Sequence, residues 1–151
     1  MWPFRREKHF FSQEENDLIV QAIRDAERQT SGEIRIFVES RCRYVDALDR
    51  AVQIFSKLQM EKTELRNGVL FYVALDDRQL AIYADTGIHE ATGHAYWQNT
   101  VKNLLSEFSE HHIVSGITAT IGAIGEALKT HFPYDGEVDK NELPDEIIFS
   151  A

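Results

Sequence analysis

Six residues carry groups suited to ligand chemistry, and they fall in three short stretches: Glu33, then Arg66 and Asn67, then Asp85, Gly87 and Glu90. Three carboxylates, an amide side chain and the backbone carbonyl of Gly87 make an oxygen-rich set of the kind preferred by hard cations such as Ca²⁺ or Mg²⁺. Carboxylates crowded together raise one another's pKa, and a cation relieves that repulsion. The competing reading is internal: Arg66 or Arg35 neutralises Glu33 and Asp85 in an ion-pair network. Asp76 and Asp77 form a second acidic pair ahead of Arg78. They read first as a turn, where Asp side chains bond nearby amides, and second as a further cation site.

Other polar groups lead less far. His89 and His94 superficially suggest a zinc-protease helix, but they are five apart rather than four. That spacing rotates them by about 140° on a continuous helix. Asp135, Glu137, Asp139 and Asn141 alternate like a calcium loop, but Lys140 stands where an EF-hand needs Gly. His111, His112 and His131 are expected near helix C-termini, where a cationic side chain suits the helix dipole. Cys42 has no partner for an internal disulfide and is expected to be a semi-buried thiol at a strand end. The chain contains no G-x-S-x-G, P-loop, G-x-G-x-x-G or C-x-x-C motif. Acyl transfer, P-loop nucleotide hydrolysis, dinucleotide redox chemistry and thiol exchange therefore have no motif behind them.

The elements that position these groups follow from periodicity. Ser12 to Glu15 reads as a capping box opening a helix that runs to about Gln29. Ile34, Ile36 and Val38 alternate with Glu33, Arg35, Phe37 and Glu39, which predicts a strand. An amphipathic helix is expected over about Val45–Met60. Residues 68–75 form an apolar run expected as a buried central strand, and 80–84 as its hairpin partner after a turn at 76–79. Residues 85–93 read as a glycine-punctuated loop. Two more helices are expected over about 95–110 and 114–131, with Pro133 ending the second. Gly122 and Gly125 in the second suggest close packing against a neighbour.

A strand–helix–strand crossover is right-handed and parallel. The order therefore predicts a three-layer α/β/α sandwich with a mixed, mainly parallel central sheet plus an antiparallel hairpin strand. In that arrangement Glu33 and Asn67 share one sheet end, and the hairpin returns Asp85 and Glu90 to it.

The expected organisation is an N-terminal extension (1–11), one domain (12–133) and an acidic tail (134–151). That tail carries six acidic residues against one lysine, and its apolar Leu143 and Ile147–Phe149 suggest partial docking. The 151 residues suit one domain, and a charge of −9 argues against nucleic acid, which needs clustered Lys and Arg. The first residues lack the apolar core of a signal peptide. No stretch reaches the about 18–20 apolar residues of a membrane span. A cytoplasmic protein without membrane attachment is the expectation.

Four stretches taken together resemble the TPM-domain family: residues 31–36 (SGEIRI), 66–70 (RNGVL), 76–78 (DDR) ahead of a strand, and 85–90 (DTGIHE). The tail 141–147 (NELPDEI) resembles a short, stand-alone bacterial branch of that family. The resemblance implies a mixed sheet between helices and divalent-cation binding, especially calcium. For some members it implies acid phosphatase activity. Three functions follow as expectations. The first is a calcium- or magnesium-binding regulatory module using Glu33, Asn67, Asp85, Gly87 and Glu90. The second is a metal-assisted phosphatase with Arg66 on the phosphate. The third is an adaptor that meets a protein partner through its acidic tail.

Overall fold

The computed structural model describes residues 10–107, 112–134 and 147–149. Helix α1, Gln13–Glu27, opens on the expected capping box: Ser12 Oγ accepts the Glu15 N–H at 3.1 Å, and Glu15 Oε1 accepts the Ser12 N–H at 2.9 Å. Ile19 and Ile23 project from it into the core. Strand β1, Glu33–Glu39, is buried along its whole length. Helix α2, Ala47–Lys57, is capped by Asp46 and buries Ala47, Ala51, Ile54 and Phe55. Strands β2, Gly68–Ala74, and β3, Gln79–Ala84, follow as a hairpin. Then come α3, Thr86–Thr92; α4, His94–Glu107; α5, Ile113–His131; and β4, Ile147–Phe149.

The sheet runs β3-β2-β1-β4. β1 pairs in parallel with β2, Glu33 against Gly68, and with β4, Ile36 against Ile147. β2 and β3 are antiparallel. Strand parity sorts the side chains between two cores. Ile34, Ile36, Val38, Val69, Phe71 and Val73 pack toward α1 and α5. Phe37, Leu70, Tyr72 and Ala74 pack toward α2. The alternating polar positions of β1, Glu33, Arg35 and Glu39, are thus not solvent-facing but buried. This is the expected α/β sandwich with a mixed sheet.

Several local readings change. Residues 86–92 are helical rather than loop, with Asp85 as N-cap, its side chain accepting the Thr86 N–H at 2.7 Å. The two α5 glycines are unalike: a Cβ on Gly125 would lie 2.7 Å from Ala26 Cβ, whereas one on Gly122 would meet nothing within 4 Å. Only Gly125 marks a close helix approach, between α5 and α1. His112 is the N-cap residue of α5, and His131 lies in its last turn as expected. His111 lies outside the described residues.

Of the tail, Ile147–Phe149 adds the fourth strand beside β1, and residues 135–146 lie outside the described residues. Phe10 and Phe11, at the end of the expected extension, set their rings 5.7 and 6.3 Å from that of Phe149. Among the described residues no helix is long and apolar enough to cross a membrane.

Candidate functional site

The two ends of the sheet carry different chemistry. At the entry of β1 and β2, Glu33, Asn67 and Asp85 come together as the topology predicts. Glu33 N–H donates to the Asn67 carbonyl at 3.3 Å, and Asp85 N–H donates to the Gly68 carbonyl at 2.9 Å. All three residues are buried.

Arg66 forks onto Asp85 there, Nε to Oδ2 at 2.7 Å and Nη2 to Oδ1 at 2.8 Å. The carboxylate holds the Arg66 guanidinium above its ordinary pKa, by hydrogen bonding first and by charge second. Arg66 adopts φ 51°, a left-handed conformation that an L residue takes only when its surroundings hold it there. Gly87 N–H donates to the Arg66 carbonyl at 2.8 Å, and a Cβ on Gly87 would stand 2.2 Å from the Leu65 carbonyl oxygen. Glycine is required because the loop backbone lies directly against the first turn of α3.

This end is therefore a latch joining the start of α3 to the start of β2. A cation reaching Asp85 has to displace a guanidinium. Glu90 is exposed on α3. Asn67 Nδ2 donates to Ser31 Oγ at 3.3 Å, while its buried Oδ1 accepts nothing among the described residues. Among those residues no group of three or more His, Cys, Asp and Glu side chains is arranged to hold a metal ion.

The carboxyl ends of β1 and β2 hold the second acidic pair, and open α/β sheets seat ligands at this end. The β1–β2 ladder continues past the strands: Leu75 N–H donates to the Glu39 carbonyl at 2.9 Å, and Asp76 N–H to the Ser40 carbonyl at 2.7 Å. The β2–β3 turn is thereby held beside the loop after β1. Asp77 Oδ2 accepts the Cys42 N–H at 2.7 Å, and no other contact engages that carboxylate among the described residues. Asp76 is exposed next to it. The turn reading holds for both residues, but Asp77 is fixed by one oxygen only.

Beneath this turn lies a network that sequence reasoning missed. Glu39 ends β1 with its carboxylate against α2, and Arg50 binds both of its oxygens at 2.9 Å. The Tyr72 hydroxyl donates to Glu39 Oε2 as well. Burial, the Glu39 carboxylate and the neighbouring Cys42 thiol all push the Tyr72 hydroxyl far above the ordinary tyrosine pKa. The hydrogen bonds to Glu39 likewise raise Arg50. Its guanidinium carbon sits 5.8 Å from the ring centres of both Phe37 and Tyr44, within cation–π range. The available signal was parity: Glu39 shares the α2-facing side of the sheet with Phe37 and Tyr72, and Arg50 lies one turn from the buried Ala47 and Ile54.

The TPM domain family matches residues 5–127. The chain belongs to the TPM-domain family. Among solved structures, this TPM-domain chain is similar to the solution structure of the BA42 protein from the psychrophilic bacterium Bizionia argentinensis. The two share 37% identity and a TM-score of 0.85 over 97% of this chain and 100% of that one. The N-terminal domain of the cg2496 protein from Corynebacterium glutamicum shares the fold at 15% identity and a TM-score of 0.60, over 83% of this chain and 85% of that one. No curated protein matches the chain.

Proposed function

We propose that this TPM-domain protein is a divalent-cation-binding module, for calcium or magnesium, whose ion sits at the Asp76–Asp77 turn. The observation that carries this reading is the divided state of Asp77. One oxygen is anchored by the Cys42 amide, and the other takes no hydrogen bond among the described residues. The anchored Asp77 carboxylate with its open oxygen offers one fixed hard ligand, and Asp76, exposed, is its neighbour in the turn. Two protein carboxylates leave most of the coordination shell to water, which places the affinity near the weak class of about 10⁻⁴–10⁻³ M. The ion would fix the turn against the loop after β1 and register its presence in the position of that loop.

The entry-end set of Glu33, Asn67, Asp85, Gly87 and Glu90 is the second cation reading, favoured by the buried Asn67 Oδ1 without a donor. It ranks lower because Arg66 already saturates Asp85. That same commitment engages the guanidinium that a phosphatase reading assigned to a phosphate.

Thermal melting in millimolar Ca²⁺ and Mg²⁺ separates the two cation sites. The proposal expects the melting temperature to rise with either ion in the wild type and in Asp85→Asn. It expects no rise in Asp76→Asn or Asp77→Asn. A rise lost in Asp85→Asn and kept in Asp77→Asn moves the ion to the entry end, and no rise in the wild type ends the cation reading.

A further inference from the structure

His89 and His94 belong to neither sheet end. On one continuous helix their spacing would rotate them about 140° apart. The chain breaks between them instead: α3 ends at Thr92, Gly93 takes φ 87° and ψ 156°, and α4 begins at His94. That backbone conformation is essentially restricted to glycine. The break sets the two imidazole rings 5.7 Å apart, centre to centre, with their planes inclined by 55°.

Both rings are available to a ligand. His89 is half-buried and His94 is exposed. Among the described residues no hydrogen bond or ion pair engages either imidazole. A neutral imidazole carries one acceptor nitrogen, the atom that binds metals. An ion held tetrahedrally at about 2.0–2.1 Å from one nitrogen of each ring places the ring centres about 5.2 Å apart. The observed separation is within about half an ångström of that value, a shift that side-chain torsions supply.

The surroundings suit a cation. Both histidines line a cavity of about 370 Å³ between β3, α4 and the start of α2. Its lining includes the Asp46 side and no Lys or Arg, and the chain as a whole carries a charge of −9. The end of α3 favours a positive charge and the start of α4 disfavours one, so the helix dipoles largely offset each other. Among the described residues no third His, Cys, Asp or Glu completes the set. The protein therefore supplies two ligands, and the cavity leaves room for water in the other positions.

We propose that His89 and His94 jointly bind a divalent transition-metal ion of the zinc, copper or nickel class across the α3–α4 junction. Imidazole nitrogen selects these ions, whereas calcium and magnesium take oxygen. The site shares no residue with the Asp76–Asp77 turn and stands independently of that reading. A bound ion ties the end of α3 to the first residue of α4.

The test is a titration of ¹⁵N-labelled full-length protein with ZnCl₂, with millimolar CaCl₂ present throughout so that hard-ion binding is already accounted for. The imidazole ¹⁵N signals are followed in long-range ¹H–¹⁵N spectra, and His89→Gln and His94→Gln assign them. The proposal expects one ring nitrogen of each of these two histidines to shift together, saturably and with the same affinity. Each single variant should bind at least about tenfold more weakly at the remaining ring, since even outer-shell changes cost that much in metal affinity. His111→Gln/His112→Gln, which removes the adjacent pair elsewhere in the chain, should bind zinc at His89 and His94 as the wild type does. Amide spectra of each variant report that its fold is kept. Unmoved His89 and His94 signals, shifts of the two rings with unequal affinities, or single variants that bind as tightly as the wild type would each overturn the proposal.

Discussion

Replacing Arg50 with Met leaves the Glu39 carboxylate buried without its counter-ion while keeping most of the arginine stem's packing. The two side chains are 20% and 10% exposed, so the pair is largely removed from water. Breaking a fully buried pair from one side costs about 3–5 kcal/mol. Here the opening over Arg50 admits some water and the Tyr72 hydrogen bond survives, which lowers the expectation to about 2–3 kcal/mol. For a domain of this size that is a fall in melting temperature of about 5–10 °C. Glu39→Gln is milder, about 1 kcal/mol, because it leaves no buried charge and the freed guanidinium can turn to solvent. The double variant should cost less than the two single losses added, since the stranded charge is gone. Urea unfolding of the four proteins measures the cycle. A loss below about 0.5 kcal/mol for Arg50→Met, or strict additivity, would refute the view of this cluster as a coupled, desolvated unit.

Other predictions follow from single contacts. Gly87→Ala drives a Cβ into the Leu65 and Arg66 carbonyls and should cost about 3 kcal/mol or more, read by urea unfolding. In α5, Gly125→Ala should destabilise by about 1–3 kcal/mol through Ala26, while Gly122→Ala, with open space around it, should stabilise by about 0.5–1 kcal/mol. The folded-state pKa of Tyr72 lies above its ordinary value of 10.0, so its contribution to stability is fully present below pH 10 and declines as pH rises beyond it. Stability measured against pH from 8 to 11.5 should therefore fall less steeply above pH 10 in Tyr72→Phe than in the wild type.

The fold was readable because its strands advertise themselves in two ways. Ile34, Ile36 and Val38 show the alternation of a strand, and the run from Gly68 shows the continuous apolarity of a strand covered on both faces. Those two strands and the crossover rule were enough to gather Glu33, Asn67 and Asp85 at one end. The role of that end was not readable, since whether Arg66 faces a ligand or Asp85 depends on side-chain direction, which spacing does not encode. Helix α3 was read as a loop because Gly87 and Gly93 are poor helix formers, yet Asp85 was a legible cap. β4 was hidden by its length, three residues in a charged tail whose pairing with β1 is wholly non-local. The Glu39–Arg50–Tyr72 cluster escaped because charges at strand ends are ordinarily solvated, and only the position of α2 over that face removes the water. His89 was read in a loop and His94 just ahead of the next helix, and the junction of α3 and α4 at Gly93 sets their rings 5.7 Å apart.

Crystals soaked in millimolar CaCl₂ test the central claim most directly. The account predicts ordered density for an ion at the Asp76 and Asp77 carboxylates, with the Cys42 amide still bonded to Asp77 and the Arg66–Asp85 pair intact. An ion at Asp85 with Arg66 displaced, or a turn that stays empty at saturating calcium, would contradict it.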